Sequence, residues 1–138
     1  MSHITTIDIE ISNIDALDAA AKELGGLLQR NKTTYNWYGS TPNPCAHAIS
    51  LPGVHYEVGV CAHKTKPGTY TLNFDPYGSG SSNGRHDGQR VLKAFGDGLK
   101  TLRQLYGVHT ATLAAKKKGY FVARKQVGNT IKLQITGV

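Results

Sequence analysis

Isoleucines at 7, 9 and 11 alternate with Asp8 and Glu10, the period-two signature of a half-buried strand. The period then changes. Ile14, Leu17, Ala21 and Leu24 fall on one helical face, Ser12 stands at the N-cap with Asp15 in the capping-box position, and Gly25-Gly26 ends the helix. Residues 33–38 are β-branched and aromatic and predict a strand. Three more short strands are predicted near 45–51, 54–62 and 69–75, punctuated by Pro52-Gly53 and Lys66-Pro67-Gly68. Tyr56, Val58 and Val60 alternate inward, as do Tyr70, Leu72 and Phe74, so an antiparallel meander with one buried face is expected.

Residues 78–88 are glycine, serine and polar side chains without an apolar anchor and predict a flexible loop. Val91, Leu92, Phe95, Leu99, Leu102 and Tyr106 then occupy one arc of a helix predicted over 87–106, with Lys93 and Lys100 opposite. Gly96 and Gly98 weaken that helix and mark where it bends. A shorter helix is expected over 110–118, ended by Gly119. Two strands, 120–126 and 130–136, follow around Val127-Gly128-Asn129, with Ile131, Leu133 and Ile135 inward and Lys132 and Gln134 outward. The order β-α-β-meander-α-α-β-hairpin predicts a single α+β domain over 1–138. Its sheet is mainly antiparallel, of about five to seven strands, with a short N-terminal and a longer C-terminal helix.

Composition is that of a folded globule, 39% hydrophobic and 18% charged. No run approaches the length of a membrane span, and the N-terminus lacks a basic and an apolar signal region. A cytoplasmic protein with no membrane partner is expected. The distribution of charge changes the picture more. Residues 1–69 carry five Lys/Arg against six Asp/Glu, whereas residues 70–138 carry eleven against three. After Asp97 there is no acidic side chain, while Lys100, Arg103, Lys116, Lys117, Lys118, Arg124, Lys125 and Lys132 remain. A one-signed field of this kind attracts polyanions, nucleic acid first among them.

The opening MSHITTIDIEISNIDALDAAAKELG resembles the start of a conserved open-reading-frame family of plastids, cyanobacteria and phages whose function is unknown. Its members begin Met-Ser-His, run into a strand and continue with an Asp-containing helix start and a Leu-Gly stop. The first 25 residues carry the resemblance. It continues as a match of order and length through Ala46 to Tyr77 and the closing Tyr106-Gly107-Val108 helix and hairpin, while the Gly/Ser loop and the added positive charge depart from it. The resemblance implies the fold rather than an activity. In size, charge and lack of a metabolic motif the chain also resembles the small single-stranded-DNA-binding cofactors with which some Pseudomonas phages recruit an RNA polymerase. That likeness implies a polymerase partner and a role in host-cytoplasm transcription.

The segment from Lys116, Lys117 and Lys118 through Tyr120 and Phe121 to Arg124 and Lys125 sets an aromatic pair between two basic clusters, with Lys132 on the return strand. Cations for phosphates and aromatic faces for bases are the two ingredients of single-strand binding. Three lysines at a helix C-terminus also suit the helix dipole. Successive strand residues point to opposite faces, so one of Tyr120 and Phe121 is expected in the core and one free to stack. Lys93, Lys100 and Arg103 on the long helix, Arg85 in the Gly/Ser loop and Trp37 in the aromatic strand complete the candidate nucleic-acid contacts.

Cys45-Ala46-His47 and Cys61-Ala62-His63 repeat one spacing, and a hairpin at Pro52-Gly53 would bring Cys45, His47, Cys61 and His63 toward a tetrahedral zinc. Two free thiols in a reducing compartment are the plainer reading. The Gly/Ser loop lacks the Gly-Lys-Ser/Thr ending of a phosphate cradle, and no nucleophile motif or paired-carboxylate spacing is present. The expectation is a non-enzymatic protein without a cofactor that binds single-stranded DNA with low sequence preference and assembles as a homo-oligomer. An adaptor for an acidic protein, and an enzyme or zinc protein built on the Cys/His pairs, are the alternatives.

Overall fold

The computed structural model describes residues 4–37, 41–76 and 87–137. The alternating segments form β1 (Thr5–Ile11), β5 (His47–Leu51), β6 (Val54–Ala62) and β7 (Tyr70–Phe74). With the short β2 (Leu27–Gln29) they pair as one five-stranded antiparallel sheet in the order β1-β7-β6-β5-β2. The α+β class with a mainly antiparallel sheet is therefore the observed one. Residues paired across an antiparallel ladder share a face. The pairs Ile49 with Val58, Val60 with Leu72, and Ile7 with Leu72 thus set one continuous apolar face. On it lie α1 (Ile14–Glu23), α2 (Asp87–Phe95) and α3 (Lys100–Lys117), which contribute Leu17, Ala20, Ala21, Val91, Phe95, Leu102 and Tyr106 to the core.

The first helix is capped one residue later than expected. Asn13, not Ser12, is the N-cap, its Oδ1 accepting from the Ala16 amide at 3.0 Å; the two residue types cap equally well. The Ser12 and Asn13 amides donate instead to the Tyr106 hydroxyl at 3.1 and 3.2 Å, which ties the start of α1 to α3.

The predicted helix over 87–106 is two helices. The first stops at Phe95, a 3-10 turn spans Asp97–Leu99, and α3 then runs unbroken to Lys117, absorbing the separate helix expected over 110–118. Gly98 (φ 60°) and Leu99 (φ 58°) take left-handed backbone angles at the break, and Gly96 (φ 87°) joins a positive φ to an extended ψ of 159°. Leu99 is nevertheless fully buried, so the hydrophobic arc is kept although the helix is not. Asp87 and Gly88, assigned above to the flexible loop, are buried in the first turn of α2, and the Asp87 carboxylate accepts from the His55 amide at 3.1 Å. The rest of that loop, with Arg85, lies outside the described residues.

The meander does not have one bare face throughout. The segment leading through β3 (Thr34–Tyr35) and β4 (Asn43–Pro44) crosses the side of the sheet away from the helices. Tyr35 is 2% exposed and lies on Gly59, where any Cβ would come within 2.4 Å of its ring. Beside it Lys32 pairs with the buried Glu57, which also accepts from the Asn36 amide at 2.9 Å. β6 is therefore buried on both faces from Tyr56 to Val60. The strand expected over 33–38 shortens to two residues because the chain must arch over β6 rather than pair along it.

The last two strands, β8 (Phe121–Val127) and β9 (Thr130–Thr136), pair only with each other among the described residues. They form a hairpin outside the main sheet, whose edge beyond β7 is filled by β1.

Candidate nucleic-acid interface

The hairpin is built by its pattern and mounted by a few polar contacts. Val127 pairs with Thr130, and Gly128 (φ 59°) supplies the positive φ that a two-residue turn requires. The ribbon lies along α3. At the turn, Gln104 Nε2 donates to the Asn129 carbonyl at 3.0 Å. At the open end, Gly119 (φ 81°) closes α3 and the Tyr120 amide donates to the Ala115 carbonyl at 3.0 Å. In the middle, Arg124 donates to both oxygens of Glu23, at 2.6 and 2.9 Å. His109 Nε2 lies 2.6 Å from the same carboxylate. The Arg124 guanidinium is the chief reason the Glu23 carboxyl is held below its ordinary range, and that carboxylate holds Arg124 above its own.

Register sorts the hairpin into two faces. Val122 pairs with Ile135, Arg124 with Leu133, and Gln126 with Ile131. These residues turn toward the helices, where Ile131 packs against the core and Ile135 borders a shallow groove with Ala111, Ala114 and Tyr120. Phe121 pairs with Thr136, Ala123 with Gln134, and Lys125 with Lys132. These residues form the outward face, and Phe121 is 70% exposed at its end. Lys116, Lys117 and Lys118, at the end of α3, are all exposed, and Lys118 borders the same groove as Tyr120.

Tyr120 and Phe121 are both exposed, Tyr120 to 41%. The expectation that one enters the core fails because the inward one, Tyr120, meets only the shallow groove at the small side chains of α3, while no layer among the described residues covers the far face that carries Phe121. Arg124, expected as a phosphate contact, is committed to Glu23. Lys116, Lys117, Lys118, Lys125 and Lys132 form no ion pair with any described residue.

The helix cations do not form one row. Lys93 lies on α2 and Lys100 on α3, with the break between them. Lys100 is exposed one turn before Gln104, toward the hairpin turn, whereas Arg103 is half-buried with its Nε unpartnered among the described residues. Trp37 is separated from the hairpin. It follows the segment that crosses the opposite side of the sheet, and its Nε1 donates to the Thr41 carbonyl at 2.7 Å.

The Cys/His pairs do not converge. His47 pairs with Val60 across the β5–β6 ladder and so shares the helix-side face, while Cys61, one residue on, points to the other. His47 Nδ1 accepts from the Asn31 amide at 3.0 Å and His63 Nδ1 from the Thr65 amide at 3.2 Å. Burial pushes the Cys45 thiol up to about 12, with the charges of Cys61 and Glu57 adding, and the Cys61 thiol up to about 11. Among the described residues no three His, Cys, Asp or Glu side chains are placed to hold a metal. Cys61 and His63 instead line an open cleft of about 570 Å³ with Thr6, Lys64, Thr71 and Asn73.

Sequence reasoning missed Glu23 and His109, which set the hairpin against the body. The only local signal was an arginine standing within a run of lysines. Comparison with protein-family models, with curated proteins and with solved structures found no match. Among the described residues no helix is long and apolar enough to cross a membrane.

Proposed function

We propose that the protein binds single-stranded nucleic acid, DNA in the first instance and with low sequence preference, on the outward face of the C-terminal hairpin. The observation that carries the reading is the Lys125–Lys132 cross-strand pair on the same outward face as the exposed Phe121, with Ala123 between them along the strand. Like charges directly opposite one another cost a ribbon about 0.2–1 kcal/mol, and no acidic residue follows Asp97 to offset them. A phosphate between the two ammonium groups turns that repulsion into attraction and releases counterions. Phe121 offers a ring face to bases on this surface, and Lys116, Lys117 and Lys118 carry the backbone past the end of α3, where Tyr120 borders the helix-side groove. Stacking on a π-face is tolerant of sequence. Arg124 serves as a strut rather than a contact.

Anisotropy titration of a labelled oligonucleotide tests this. Replacing Phe121 by Ala is expected to weaken binding about ten-fold, within the range of one stacked base, and Phe121→Trp to restore it. Equal affinity of wild type and Phe121→Ala contradicts the stacking role, and absence of binding by wild type contradicts the function.

A further inference from the structure

A ribbon of two strands leaves both of its outer edges unpaired, and an unpaired edge is a template for another strand. Such ribbons are marginal alone, and here both edges stay open among the described residues. The two edges differ in what they can accept. Strand β9 reads Thr130-Ile131-Lys132-Leu133-Gln134-Ile135-Thr136, which is symmetric about Leu133 in size and character. A second copy related by a two-fold axis through Leu133 sets Leu133 against itself, Ile131 against Ile135, Lys132 against Gln134 and Thr130 against Thr136. Every cross-strand pair is compatible, and no charge meets its like. In β8 the same operation fails, because any two-fold through its middle opposes Arg124 and Lys125 to one another or to themselves.

We infer that the protein forms a two-fold homodimer by pairing β9 with β9 of a second copy, in the strand order β8-β9-β9-β8. A two-fold axis normal to the sheet keeps like faces together. Ile135, 48% exposed in the single chain, is then flanked by the second copy's Ile131 on the helix side. On the outward side the two Lys125–Lys132 pairs join one four-stranded surface, each Lys132 opposite a glutamine. The dimer rests on the edge and its sequence, and stands whether or not that surface binds nucleic acid.

Sedimentation equilibrium and oxidative cross-linking of the full chain test the inference without any oligonucleotide. Wild type is expected to sediment as a dimer. Leu133→Cys, with its Cα atoms about 4.5–5.5 Å apart across the axis, should oxidise to a covalent dimer, whereas Val127→Cys on β8 and the wild-type chain should not. The exposed Gln134 provides variants that spare the fold. Gln134→Lys opposes a like charge twice and should weaken the dimer about five-fold, while Gln134→Glu should tighten it by a similar factor. A monomer at the highest soluble concentration overturns the inference. So does cross-linking at Val127→Cys equal to that at Leu133→Cys, or a shift of the same sign in both Gln134 variants.

Discussion

Glu23 accepts from Arg124 on β8 and sits against His109 on α3, so a single carboxylate at the end of α1 joins three elements. Arg124 holds its pKa below the ordinary 4.5. A carboxyl depressed by folding contributes stability that is present above its unfolded value and is lost as pH falls through the lowered one. Replacing Glu23 by Gln should therefore lower the melting temperature by a few degrees at neutral pH. As the pH drops below 4.5 the wild-type curve should fall to meet that of the variant. Thermal melts of the two proteins across the acid range check this; a gap that persists unchanged in strong acid contradicts it. The pairing was not legible beforehand, because Glu23 and Arg124 are about a hundred residues apart and either reads alone as a solvated surface charge.

At the scale of the element, the break between α2 and α3 separates what periodicity reports from what it does not. The arc from Val91 to Tyr106 specifies which side chains are buried, and Leu99 and Leu102 are buried fully, but it does not specify that one hydrogen-bonded helix carries them. Gly96 and Gly98 marked the place. Gly96 takes a φ of 87°, and a Cβ there would stand 2.8 Å from the Thr101 amide nitrogen. Gly98 lies in the left-handed helical region (φ 60°, ψ 23°) and faces open space, whereas Gly96 joins its positive φ to a ψ of 159°, a region essentially restricted to glycine. Gly98→Ala should cost about 1 kcal/mol, the left-handed penalty alone. Gly96→Ala should cost clearly more, since backbone must also move; urea denaturation of both variants measures the difference. Equal costs would contradict both the backbone strain assigned to Gly96 and its close approach to Thr101.

At the scale of the whole molecule, the alternation and turn of the hairpin were readable in the sequence, as were the meander and most of the core. That the hairpin stands outside the sheet was not readable. β1 returns from the start of the chain to take the edge beside β7, and period-two patterning carries no information about which strand takes an edge. The consequence for function is large. A hairpin in the sheet would have buried one of Tyr120 and Phe121; a hairpin lying on α3 leaves Phe121 open on the outward face that also carries Lys125 and Lys132, and Tyr120 partly open at the groove beside Lys118. Trp37 belongs to the other side of the sheet, and the cysteine and histidine pairs are divided by the β5–β6 register. The measurement that bears most directly on the account is the salt dependence of oligonucleotide affinity for wild type and for Lys125→Ala/Lys132→Ala. Each single-strand phosphate contact contributes about 0.7 to the slope of log affinity against log salt. The double variant should bind more weakly at low salt, with a slope shallower by about 1.4 if both lysines hold phosphates. An unchanged slope would place the nucleic acid elsewhere on the molecule, and wild-type binding without salt dependence would contradict the account.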